Sequence, residues 1–322
     1  METGSHGTVV RGPFCAQGTF SWIHMNLFHH AHSHMAEFMG ISGDMKPLLD
    51  LAVTSLPTEP YVLDQLLAVS GLHLATREPH AAHAYNHEAT ELQTRALGSF
   101  NDLKTSIADS NYLAAFLFAT LIGIHLLHNS LAPSHRNLGE FVQQFVNYAR
   151  LHRGVRAVTN TYWGKILQSH LQPLLYMSDI SLDAEKNPAG DETTSLRHFL
   201  ESLPSPLSPA VESCLFALKW TQWMIDLGKA HPARPDIAYQ AIIAWPLVVP
   251  DEFITALYQH QPESFVVLAY YAATIHKYRD FWAFSGAGPA LFKMIEDHVG
   301  TFWGEALAWP RMEFGQALES PL

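Results

Sequence analysis

The sequence predicts an all-α fold, a single large helical domain of about eight to twelve helices. Three observations lead there. Apolar residues recur at three- and four-residue steps along most of the chain, the spacing that lines one face of a helix. Alternating apolar runs joined by Asn-Gly or Asp-Gly, the mark of hairpins, are scarce. The 322 residues, 48% hydrophobic and 15% charged, suffice for one extensive core.

Residues 1–20 carry Glu2 and no basic stretch leading into an apolar one, so they read as a flexible N-terminus and not as a secretory signal. An N-terminal helical half is expected over 21–178. Within it Leu63, Leu66, Leu67, Ser70 and Leu74 define an amphipathic helix entered after Pro60 and ended near Pro79. The next helix is expected over His83–Leu103. Tyr112–Leu127 is the longest apolar run. Interrupted by Thr120, Gly123 and His125, it falls short of the roughly 18 to 20 residues of a spanning helix and reads as a buried core helix, with no membrane span. Leu138–Leu151 and Tyr162–Met177 complete this half.

Between Asp179 and Pro209 the apolar pattern gives way to Asp, Glu, Ser and four prolines, Pro188, Pro204, Pro206 and Pro209. Such composition predicts a loop. A C-terminal half over 210–322 follows, with helices at Ala210–Leu227, Ile237–Trp245, Pro250–His260, Glu263–Tyr278 and Ala290–Leu307. These are too apolar to stand alone, so the two halves are expected to share a core.

Composition also excludes functions. With 19 Lys+Arg against 30 Asp+Glu, a net charge of −11 repels a phosphate backbone, so no direct nucleic-acid partner is expected. Two cysteines, Cys15 and Cys214, cannot build a cysteine-based structural zinc site or a disulfide framework, which fits a reducing, intracellular setting. No Gly-x-Ser-x-Gly elbow, His-Glu-x-x-His or Walker loop occurs, and Cys214 in an apolar helix reads as a buried thiol.

Two segments resemble metal sites. His30 and His34 stand one helical turn apart within a run that also holds His24, His29 and His32, but no third ligand is fixed beside them. Asn101, Thr105 and Asp109 resemble the second metal motif of class I terpene synthases, yet the last position is Asp where Glu is usual and the chain has no Asp-Asp pair. Neither metal nor cofactor is therefore assigned. The 20 histidines have a reference pKa of about 6.5 and can respond to mild acid.

An ordered series of longer words carries a family resemblance. It runs Leu27-Phe-His-His, then Pro60 to Ala75, then Tyr85, Ala89, Gln93 and Ala96-Leu97, then Asn111 to Gly123. Leu151-His-Arg-Gly154 with Trp163 continues it, followed by Ala244-Trp-Pro246, Pro262 to Ala272, Trp282 and Trp309-Pro310. The chain resembles the regulatory domain of fungal zinc-cluster transcription factors of the sterol uptake control type, over most of Leu27–Pro310. The six-cysteine cluster with which such proteins read DNA has no counterpart here.

That resemblance implies a helical domain with an apolar pocket for a sterol, another lipid or a secondary metabolite, acting on transcription in the nucleus or from the cytoplasm. A full-length zinc-cluster factor or a second copy of the chain would be its macromolecular partner. Phe116, Trp163, Trp245, Tyr270, Tyr271, Trp282 and Phe284 are the expected ligand-lining residues. The alternative is an enzyme recruited from such a pocket, a cofactor-free cyclase or isomerase of a hydrophobic natural-product intermediate. Its candidate catalytic tips are His125, Asp226, Tyr270 and His276.

Overall fold

The computed structural model describes residues 21–103, 108–132, 137–175, 190–203, 208–284 and 286–319. The expectation for residues 1–20 lies outside them. The described residues form fourteen α-helices and two 3-10 turns, with no strand, in one domain. The class is as expected, and the count exceeds the predicted range because several helices are short.

In the first half, α1 spans Trp22–Met39, α2 Lys46–Thr54, α3 Pro60–Arg77, α4 Ala82–Leu103, α5 Tyr112–Ser130, α6 Leu138–Asn160 and α7 Trp163–Leu167. The second half holds α8 Thr194–Glu201, α9 Pro209–Ala230, α10 Pro235–Val248, α11 Asp251–Tyr258, α12 Pro262–Lys277, α13 Ala287–Val299 and α14 Ala308–Glu319. Proline stands at the first position of α3, α9, α10 and α12, where its missing N–H costs no hydrogen bond and its fixed φ suits a helix start. Ser208 adds an N-cap, its Oγ accepting from the Val211 amide at 3.2 Å.

Two helices are buried on every side. Each residue of α3 from Tyr61 to Ala75 is buried, so this helix is not the amphipathic one that its leucine spacing predicts. It runs against α1, α4 and α5. In α12 every residue from Ser264 to Ile275 is buried, and that helix packs on α9, α13 and α14. The halves meet where α5 and α6 touch α10 and where α6 also touches α11 and α13. One contiguous core runs from Leu27 to Leu307.

Three local expectations are corrected. The helix expected over Tyr162–Met177 ends at Leu167 and is followed by a 3-10 turn at Gln172–Leu174. The single helix expected over Ala290–Leu307 is broken at Gly300, whose φ of 74° no helix accommodates. The segment expected as a loop over 179–209, part of which lies outside the described residues, contains α8. Leu196 and Leu200, one turn apart and fully buried, anchor it, and Thr193 donates from its amide and its hydroxyl to Gln222 Oε1 at 2.9 and 2.8 Å.

At 19 residues α5 is long and apolar enough to cross a membrane, contrary to the length expected from its sequence, but 67% of its most apolar window is buried inside the fold. By the same test α10 and α11 qualify only as a pair, bent by 82°. The burial of α5 accounts for its composition: it is packed between α3 and α6.

Candidate functional site

The seven expected ligand-lining residues fall into separate clusters. Trp245 is fully buried, stacks on Tyr271 with ring centres 4.3 Å apart, and donates from its indole nitrogen to Thr221 Oγ1 at 3.0 Å. The Tyr271 hydroxyl donates to the Ile242 carbonyl at 3.1 Å. The Tyr270 hydroxyl donates to the Ala306 carbonyl at 3.0 Å, and its ring stacks on Trp309. Phe284 packs on Phe281 and Tyr239. Phe116 and Trp163 face each other across α5 and α7, 6.0 Å between ring centres.

Each buried polar tip in this set is thus occupied by a structural hydrogen bond, as burial of an indole or a phenol requires. Burial pushes the Tyr270 and Tyr271 hydroxyls above their ordinary range, so they are donors and not proton acceptors at neutral pH.

The four catalytic candidates, on α5, α9 and α12, are likewise engaged. His125 on α5 lies 3.2 Å from Gln65 Nε2 on α3, and burial pulls its pKa down to about 3. Asp226 on α9 accepts from the Gly190 amide at 3.1 Å and from Gln222 Nε2 at 2.8 Å. His276 packs on the Phe314 ring, its pKa lowered by desolvation and by Arg279. None of the four is joined to another by a hydrogen bond or ring contact among the described residues.

Two surface clefts lie elsewhere. One of about 610 Å³ opens between the starts of α9, α11 and α12 and is lined by Ser208, Asp251, Glu252, Thr255, Gln259 and Glu263 among others. Another, of about 240 Å³, is bounded by Arg153, Asn160, Leu247 and Val248. No expected ligand-lining residue borders either cleft. Arg153 itself caps the end of α10: Nε donates to the Pro246 carbonyl at 2.8 Å, and the two Nη atoms reach the Val249 carbonyl and Asp251.

The terpene-synthase-like positions are not gathered as ligands. Thr105 lies outside the described residues, and Asp109 accepts from Lys165 Nζ at 2.6 Å. Among the described residues no group of three His, Cys, Asp or Glu side chains is placed to hold a metal. Cys214 is buried, and burial raises its thiol to about 12, which keeps it protonated and unreactive.

A junction missed by the sequence reading gathers more chemistry than any expected site. His30 Nε2 on α1 and His73 Nδ1 on α3 share a buried hydrogen bond of 2.9 Å. His34 stacks on His30 with ring centres 4.5 Å apart. Trp282, in the turn between α12 and α13, packs on His73 and on His128 of α5, at 5.3 and 4.8 Å. Its indole donates to the Phe38 carbonyl at 3.0 Å, while Gln240 Nε2 of α10 donates to the Met39 and Gly40 carbonyls at 2.8 and 2.9 Å.

Side chains from the second half therefore satisfy the open carbonyls at the end of α1. Gly40 makes the approach work. It takes the left-handed conformation at φ 59°, and a Cβ there would stand 2.9 Å from the Phe281 ring. Desolvation lowers His30, His73 and His128 to about 4, so all three are neutral at pH 7. The one available signal for His73 in the sequence was an imidazole inside an otherwise apolar helical run.

No protein-family model, no characterised protein and no solved structure matches this chain.

Proposed function

We propose that the chain is a regulator-like protein that takes up a sterol, another lipid or a hydrophobic metabolite and does not itself bind DNA. It would act inside the cell, in the nucleus or cytoplasm, with a DNA-binding partner supplying promoter contact. The observation that carries this reading over catalysis is the occupation of the candidate tips. Tyr270, Tyr271, Trp245, Asp226 and His125, spread over four helices, are each hydrogen-bonded within the protein, whereas general acid-base chemistry needs groups that converge on one reacting atom.

Trp245 stacks on Tyr271, and Tyr270 on Trp309. Uptake of an apolar ligand is then coupled to a change in packing, and that coupling is what lets occupancy regulate. The net charge of −11 and the ordered sequence words of the sterol uptake control type support the same reading.

Titration of the purified chain with a membrane sterol and with a long-chain fatty acid, followed by tryptophan fluorescence, tests it. A saturable change with the ligand recovered intact is expected for at least one of the two, together with no retardation of duplex DNA at physiological salt. Conversion of the ligand, or a salt-sensitive DNA complex, would overturn the reading.

A further inference from the structure

The junction between α1 and the rest of the fold holds a titratable pair at the point where α1 is least regular. His34 interrupts the helix with φ −131° and ψ 15°, which divides α1 into a part before it and a part after it. Before that break α1 is tied to α3 by the His30–His73 bond, and after it the last carbonyls are held by the Trp282 and Gln240 hydrogen bonds. We propose that the His30–His73 pair is an acid-sensitive latch, whose double protonation breaks the shared hydrogen bond and loosens α1 from α3 around His30.

The chemistry is that of a bond between two rings. One nitrogen must carry the hydrogen and the other the lone pair, which two imidazoles satisfy when neutral or when only one is charged. Once both are protonated, Nε2 of His30 and Nδ1 of His73 each carry a hydrogen, and two like charges face each other at bonding distance.

The groups around the pair bias it in both directions. His34 on α1 and Arg77 on α3 oppose a positive charge, and Glu37 on α1, 3.4 Å from His73 Nε2, favours one. Glu37 is itself held by Arg77 Nη1 at 2.8 and 2.9 Å, which offsets much of that help. Across Trp282 stands His128 of α5, whose Nδ1 is buried without a hydrogen-bond partner; the α12–α13 turn presents the indole, which does not titrate.

The direction of the effect follows from linkage. Both histidines titrate near 4 when latched and near their ordinary 6.5 when released. The released state binds more protons across that interval, so the latch is intact above about pH 6.5 and weakens as the pH falls toward 4.

Hydrogen exchange of the wild-type chain between pH 7 and 4.5, corrected for intrinsic exchange rates, tests this directly. Amides of residues 27–33 should open about tenfold or more at pH 5 relative to pH 7, while amides of α9 and α12 keep their protection. In His30→Gln, which retains a donor but does not titrate, the acid-induced rise should shrink by roughly an order of magnitude, one histidine's share. Uniform exchange across α1, α9 and α12, or an unchanged rise in a folded His30→Gln protein, would overturn the latch. The wild-type series decides the matter even if the variant does not fold.

Discussion

Asp64 lies on the innermost helix of the first half, 9% exposed, where an unpaired carboxylate would be costly. Arg95 of α4 meets it with two hydrogen bonds of 2.6 Å, and it is this bidentate fork that makes a charge on α3 tolerable. Removing the cation strands the carboxylate. Arg95→Ala should therefore destabilise the fold by about 2–3 kcal/mol, below the full value for a buried pair because the Arg95 side chain is half exposed. Asp64→Asn should recover part of the loss in that background, and urea denaturation of the single and double variants checks both. Little of this was legible beforehand. The sequence marked Tyr270, Tyr271, Trp245 and Trp282 as ligand-lining residues, but a hydrogen bond from Tyr271 to Ile242 spans 29 residues and leaves no local pattern. The His30–His73 bond, 43 residues apart, was hidden for the same reason.

Among the elements, starts were easier to read than ends or sides. Pro60, Pro209, Pro235 and Pro262 each open a helix because proline's constraints are local. The burial of α3 on all sides depends on its neighbours, and α8, at eight residues, is too short for its period to stand out from an acidic, serine-rich setting. Close helix crossings depend on single glycines. A Cβ on Gly288 of α13 would stand 2.7 Å from His276 Cβ and 2.9 Å from the Ala272 carbonyl of α12, and neither can yield without moving that helix. Gly288→Ala should cost about 1–3 kcal/mol by forcing α12 and α13 apart. Gly98 of α4 has open space around it, so Gly98→Ala should instead be neutral or stabilise by up to about 1 kcal/mol. Thermal melts of the two variants should move in opposite directions or differ clearly in size.

At the scale of the molecule, one core joins both halves, and α1 is the strap that crosses between them. Its body lies on α3, and its last carbonyls are held by Gln240 and Trp282 from the second half. The all-helical class was plain in the periodicity of the sequence, whereas the hydrogen bonds of Trp245, Tyr270 and Tyr271 were not, because composition alone does not say which buried group meets which. The function proposed for this core is binding without catalysis. Native mass spectrometry of the chain isolated from its own host, with identification of the molecule that co-purifies and a second analysis after incubation, tests it most directly. A sterol or other lipid bound in stoichiometric amount and unchanged after incubation is the predicted result; a hydrophobic intermediate that the wild-type chain converts, and that a His125→Ala or Tyr270→Phe variant does not, would contradict it.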